Sequence, residues 1–254
     1  MMLKAVLMNR IEQLKLEVCR ANKELVDHGL VLFTWGNLSA YDRELGVVAI
    51  KPSGVEYSVM SANDIVVLDI DGNVLEGDLR PSSDTPTHLE LYKEFHHINS
   101  IVHTHSSSAT IYAQAQKGIP CYGTTHADSF YGEIPLVEPL SSFEISTDYE
   151  ANTGKSIVKY FEKMNISPKL MSACLCPGHG PFVWGETIEK AVYNAAVLEQ
   201  VATMAMESEK LNPSIRQIDK DLMDKHYFRK HGPGSYYGQK PFEENTVADN
   251  YSQN

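Results

Sequence analysis

Cysteine is scarce in this sequence. Four thiols, Cys19, Cys121, Cys174 and Cys176, are scattered over 254 residues with no C-x-x-C pair, so no disulfide framework is encoded and reduced thiols are expected. No apolar run approaches the roughly 20 residues that a membrane-spanning helix needs, and no membrane role follows. Neither G-x-x-x-x-G-K-S/T nor G-x-G-x-x-G occurs, which removes the common phosphate cradles of nucleotide and dinucleotide sites. Positive charge is also short: 22 Lys and Arg stand against 33 Asp and Glu, a formal charge of −11. Such a balance disfavours nucleic acid as a partner and leaves room only for a local basic pocket around a phosphorylated metabolite. No linker or internal repeat divides the chain, so one domain with a polar tail is expected. The start, MMLKAVLMNRIEQLKLEV, lacks a small-residue cleavage site and reads as an N-terminal helix of a cytoplasmic protein.

What is present is a regular alternation of element types. Apolar residues recur at helical spacing from Arg10 to Leu30, with Gly29 as the stop signal. A β-rich block follows, in which VLFTW, NLSAYD and VVAIKPSG run apolar or alternate and DIVVLDIDGNVLEG carries an Asp71-Gly72 hairpin turn. Ser82, Ser83 and Asp84 are candidate caps for a helix starting near Pro86. After it come a strand ending in HTH, a helix from about Ser108 to Gln116, and an irregular stretch over 120–140 with short strands. Further helices are expected over Thr147–Met164, Thr187–Leu211 and Arg216–His231, and LMSACLCP with GPFVWG reads as a strand pair.

The run IVHTHSS places His103 and His105 two apart at the end of an apolar strand, where period-2 alternation sends both imidazoles to one face. His179, between Gly178 and Gly180 at the turn of the last strand pair, is a third imidazole, and Asp84 offers an oxygen. Zinc suits that donor set. Taken alone, H-x-H on a strand is more often a structural pair, and Cys174 with Cys176 near His179 offers a competing thiolate site, although alternation would bury both sulfurs as small hydrophobes. KPSG (Lys51 to Gly54) and the Ser82-Ser83 helix start provide a cation, hydroxyls and free N–H groups for a small monophosphate. Asp128 and Tyr237 are acid/base candidates by residue type only.

The segments TWGNLSAYD, IKPSGVEYSVM, RPSSDTPTH, IVHTHSSSATIYAQA, GTTHADSFYG and DKHYFRKHG with YYGQ resemble, in order and spacing, the L-ribulose-5-phosphate 4-epimerase family within the class II aldolase/epimerase superfamily. The resemblance spans residues 1–239, leaving 240–254 as the polar tail. It implies a layered α/β/α domain around a largely antiparallel sheet, one zinc ion per subunit, and a homotetramer with active sites at subunit interfaces. His103, His105 and His179 would hold the metal, with Asp84 as a fourth side chain near it. Related aldolases carry glutamate where Asp84 stands. Asn37, Ser53, Gly54, Ser82 and Ser83, with Lys51 beside them, would bind the phosphate of a pentulose phosphate. Asp128 and Tyr237 would be the acid/base pair, with His226 near the site and Tyr237 reaching a neighbour's zinc. The stretch CPG before His179 departs from the family, which commonly has a further polar or histidine residue there.

Such a site suits inversion at C4 by opening the C3–C4 bond, turning the aldehyde fragment and closing the bond again. A proton donor or acceptor on each side of the aldehyde explains two groups rather than one. An aldolase that releases its fragments, a zinc hydrolase and a structural zinc protein are the competing expectations, the last disfavoured by the shortage of thiolates.

Overall fold

In the computed structural model, which describes residues 2–232, 235 and 236, seven strands form one sheet. They are β1 (Asn37–Asp42), β2 (Val47–Ile50), β3 (Val66–Asp69), β4 (Val74–Glu76), β5 (Ser100–His103), β6 (Ala173–Cys176) and β7 (Gly180–Gly185). Their order is β4-β3-β2-β1-β5-β7-β6, and each ladder is antiparallel. The helices are α1 (Met2–Asp27), α2 (Thr85–Glu94), α3 (Ser107–Gln114), α4 (Thr124–Ala127), α5 (Ser142–Thr147), α6 (Tyr149–Lys163), α7 (Ile188–Leu211) and α8 (Lys220–His231). Helices α1, α3 and α7 pack together on one side of the sheet, and α2 and α6 pack as a pair on the other. The expected layered α/β/α single domain is the observed one. Among the described residues no helix is long and apolar enough to cross a membrane.

Local chemistry explains how the layers attach. In α1 the buried stripe Val18, Cys19, Ala21 and Leu25 includes a polar residue, Asn22, which is fully buried. Its Nδ2 donates to the carbonyls of Val18 and Leu38, and its Oδ1 accepts from the Leu38 amide, so the helix is clamped to the first residues of β1. On the opposite face Phe95, Phe161 and Trp184 form an aromatic triangle with centroids 5.3 to 5.6 Å apart, joining the end of α2, the last turn of α6 and β7. The Trp184 indole donates to the Pro168 carbonyl, so its polar edge is satisfied inside the core.

Several expectations change. VLFTW is not a strand: it is a turn in which Phe33 takes φ +54 and Leu32, Phe33 and Trp35 are exposed. Val31 is buried while the other three apolar residues face outward, a placement that hydrophobic content alone does not distinguish from burial. The 120–140 stretch contains the single turn α4 and isolated bridges in place of short strands, and α5 precedes α6, started by a Ser141–Glu144 capping box. Helix α8 begins at Lys220, later than Arg216. The 240–254 tail lies outside the described residues.

Phe161→Ala removes the centre of the aromatic triangle from a site only 1% exposed. It should destabilise the protein by ~3–5 kcal/mol, measured as a lowered midpoint in urea unfolding at unchanged slope.

Candidate active site

Three neighbouring strands bring the site together. In the ladders His103, the last residue of β5, stands opposite Asn37 on β1 and Phe182 on β7. The β6–β7 turn carries His179 just ahead of β7, and His105 lies two residues beyond the end of β5. One nitrogen from each of His103, His105 and His179 falls within 4.8 Å of the others. The strand places His103 alone; the chain's continuation past the strand delivers His105.

The glycines beside His179 serve the backbone itself. Gly178 takes φ +66 at the turn, and a Cβ on Gly180 would meet the Thr104 carbonyl oxygen at 2.7 Å. They permit a backbone turn and a backbone contact.

Each imidazole is prepared for a metal in its own way. His103 is buried, and its Nδ1 lies 2.9 Å from the Pro181 carbonyl. A carbonyl only accepts, so the proton is on Nδ1 and the Nε2 lone pair is free. His179 Nδ1 lies 3.3 Å from the Tyr149 hydroxyl. Burial, with smaller effects from His103, pushes His179 down to about 4, and the same causes lower His105, so both are neutral at pH 7. Three converging, pre-oriented imidazoles fit a divalent metal such as zinc. Cys174 and Cys176 do not join them: both are buried in β6, and burial raises the Cys174 thiol.

Around this cluster opens a cavity of ≈ 450 Å³ lined by Asn37, Lys51, Ser53, Gly54, Ser82, Ser83, Asp84, His103, His105 and His179, with Thr34, Trp35, Gly36 and Pro52. Asp84 sits at the N-cap of α2 yet makes no capping bond; its Oδ2 accepts from Asn37 Nδ2 at 2.7 Å. Burial raises its carboxyl, but the imidazoles of His103, His88 and His179 and the Asn37 amide outweigh that and hold it below the usual range. Lys51 is 1% exposed, its Nζ donates to the Thr34 and Pro52 carbonyls at 3.3 Å, and it stands 4.7 Å over the Tyr57 ring. Burial lowers its ammonium to about 8, so an anion beside it would restore the charge that burial disfavours.

Asp128 and His226 lie together, outside that lining. Asp128 accepts from His226 Nδ1 at 3.0 Å and from Arg229 at 2.9 and 3.0 Å, with Lys230 Nζ at 3.3 Å. Burial raises its carboxyl, while the bonds from Arg229 and His226 and the charge of Lys230 hold it below the ordinary value. Tyr237 lies outside the described residues. Sequence reasoning missed Tyr149, which carries no local signal, and His88, whose spacing of four from Asp84 on α2 was the available one.

A model of the Class II Aldolase and Adducin N-terminal domain matches residues 16–206. An L-fuculose 1-phosphate aldolase structure aligns at 25% identity and TM-score 0.72, covering 86% of this chain and 96% of its own. YgbL from Escherichia coli, a putative aldolase/epimerase/decarboxylase, aligns at 23% identity and TM-score 0.66, over 85% and 98%. L-fuculose-1-phosphate aldolase from Thermus thermophilus aligns at 19% and 0.62, over 81% and 98%. The last two likenesses speak for the fold alone.

Equilibrium dialysis against zinc should load about one ion per chain, and His103→Ala should reduce the affinity by at least about a hundredfold. For Asp128, whose carboxyl is held low in the folded state, the stabilisation is present above the unfolded value near 3.8 and is lost as pH falls through the lower folded value. Asp128→Asn should therefore cost ~1–3 kcal/mol at pH 7, and its unfolding midpoint should converge on that of the wild type below about pH 4.

Proposed function

The chain belongs to the class II aldolase and adducin N-terminal domain family, and we propose that within it the protein is a zinc-dependent epimerase interconverting L-ribulose 5-phosphate and D-xylulose 5-phosphate. The observation that carries this reading is the single cavity in which three imidazoles and Asp84 adjoin Lys51, the serine hydroxyls and a helix start. That combination matches a short substrate with an oxygen-bearing carbon centre at one end and a phosphate at the other.

A zinc ion held by His103, His105 and His179, with Asp84 beside it, would supply Lewis-acid stabilisation of the negative charge that develops as the C3–C4 bond opens. The residues do the rest. Lys51, Ser53, Gly54, Ser82, Ser83 and Asn37 hold the phosphate of the aldehyde fragment, so the fragment turns without leaving. Asp128 and Tyr237 move the C4 hydroxyl proton on the two faces, and a carboxylate held ionised by Arg229 is ready to accept one. Since Asp128 and His226 stand outside the cavity of their own chain, this reading requires a neighbouring subunit to bring them to it. A homotetramer with interfacial sites does that, and the exposed Leu32, Phe33 and Trp35 beside the cavity suit a subunit contact.

A class II aldolase that releases its aldehyde is the second reading, favoured by the 25% identity to an L-fuculose 1-phosphate aldolase. Zinc-loaded protein incubated with L-ribulose 5-phosphate should yield D-xylulose 5-phosphate, sensitive to chelation and without accumulating glycolaldehyde phosphate. Asp128→Asn and Tyr237→Phe should each slow turnover more than about tenfold with zinc retained. Accumulating glycolaldehyde phosphate would select the aldolase, and full turnover in both variants would remove the acid/base assignment.

A further inference from the structure

Two periodicities coincide where α2 lies on β1. Alternate strand residues Asn37, Ser39 and Tyr41 share a face, about 6.6 Å apart. Asp84, His88 and Tyr92 recur every fourth residue along α2 and its cap, about 6.0 Å apart. They meet as rungs: Asn37 Nδ2 donates to Asp84 Oδ2 at 2.7 Å, Ser39 Oγ lies 2.7 Å from His88 Nδ1, and the Tyr41 and Tyr92 rings stand 5.3 Å apart. Ser39 Oγ also lies 2.7 Å from the Tyr92 hydroxyl. Ser39, His88 and Tyr92 are fully buried and Asn37 is 1% exposed.

The hydrogen bonds decide where the His88 proton is. When Tyr92 donates to Ser39 and Ser39 donates to His88 Nδ1, both bonds have a donor, and the ring proton sits on Nε2. The reverse direction, from Nδ1–H to Ser39 and from Ser39 to Tyr92, leaves the buried Tyr92 proton without an acceptor, at the cost of an unmade buried bond. The first arrangement is the favoured one. His88 Nε2 and Asn37 Oδ1 are the ladder's two buried polar atoms without a partner. One is then a donor, the other an acceptor, and they belong to adjacent rungs.

We propose that His88 is a positioning residue for the metal site: its bond with Ser39 holds α2 against β1 at the rung beside Asn37, and so fixes the amide that holds the Asp84 carboxylate beside the three imidazoles. The donors run from Tyr92 through Ser39 to His88 on two rungs, and from Asn37 to the ladder's one negative charge, Asp84, on the third. A second brace acts through Phe182, whose ring meets His88 edge-on at 6.1 Å and stacks on His103 at 4.3 Å. The inference rests on the metal reading of the site but not on the identity of the sugar.

The test uses zinc affinity and a tautomer, neither of which depends on turnover. In competition titration against a chromogenic chelator, His88→Phe should weaken zinc binding by about tenfold or more. His88→Asn, whose side-chain oxygen keeps an acceptor for Ser39 at the reach of Nδ1, should stay within about threefold of wild type. Nitrogen-15 NMR of wild-type protein should find the His88 proton on Nε2. Unchanged zinc affinity in a folded His88→Phe, or a proton on Nδ1, overturns the proposal, and the tautomer decides it if the Phe variant does not fold. Wild-type protein that takes up no zinc would overturn the metal reading and, with it, the positioning role.

Discussion

The histidine cavity of this molecule depends on how closely three backbones approach one another at His103 and Thr104. A Cβ on Gly36 would lie 2.8 Å from the His103 carbonyl oxygen, and one on Gly180 would lie 2.7 Å from that of Thr104. Gly36 also takes φ +74, where other residues are strained. The end of β5 is thus gripped between the segments leading into β1 and β7. Asn37, His103 and His179 all follow from that grip, since each lies on or beside one of the three strands. Any side chain at either glycine would part the strands at the point where the imidazoles converge.

The chemistry around this point departs from what stability alone would favour. Asp84 stands where a helix cap belongs, yet its carboxylate is turned to Asn37 and the imidazoles. Lys51 keeps an ammonium in a nearly sealed position, on two carbonyls and an aromatic face. Buried imidazoles and a buried cation are costly without partners. Their concentration in one cavity marks the place where local rules are broken in favour of binding.

A separate polar centre ties α8 to α4. His226, Arg229 and Lys230 meet the carboxylate of Asp128, and His231 Nε2 donates to its backbone carbonyl. Three cationic or imidazole groups around one carboxylate keep it ionised and hold the C-terminal helix in place. Within one chain this centre and the histidine cavity are distinct, so a reaction that uses both needs a second subunit.

Much of the architecture was legible in the chain itself. The helices at 149–163 and 188–211 and the hairpins around Asp71-Gly72 and His179 follow from periodicity and turn residues, because those signals are local. The VLFTW turn was misread because composition does not tell an outward apolar residue from an inward one. The sequence by itself determined the kinds of groups at the site: three histidines, an aspartate, a lysine and a run of serines and glycines in a chain poor in cysteine. Only the tertiary structure decided which of them share a cavity. It set Asp128 apart, added Tyr149 behind His179, and brought His88 against Ser39 of β1. Those relations join residues far apart in the chain or on facing elements, and they depend on strand order and helix register, which no single segment encodes.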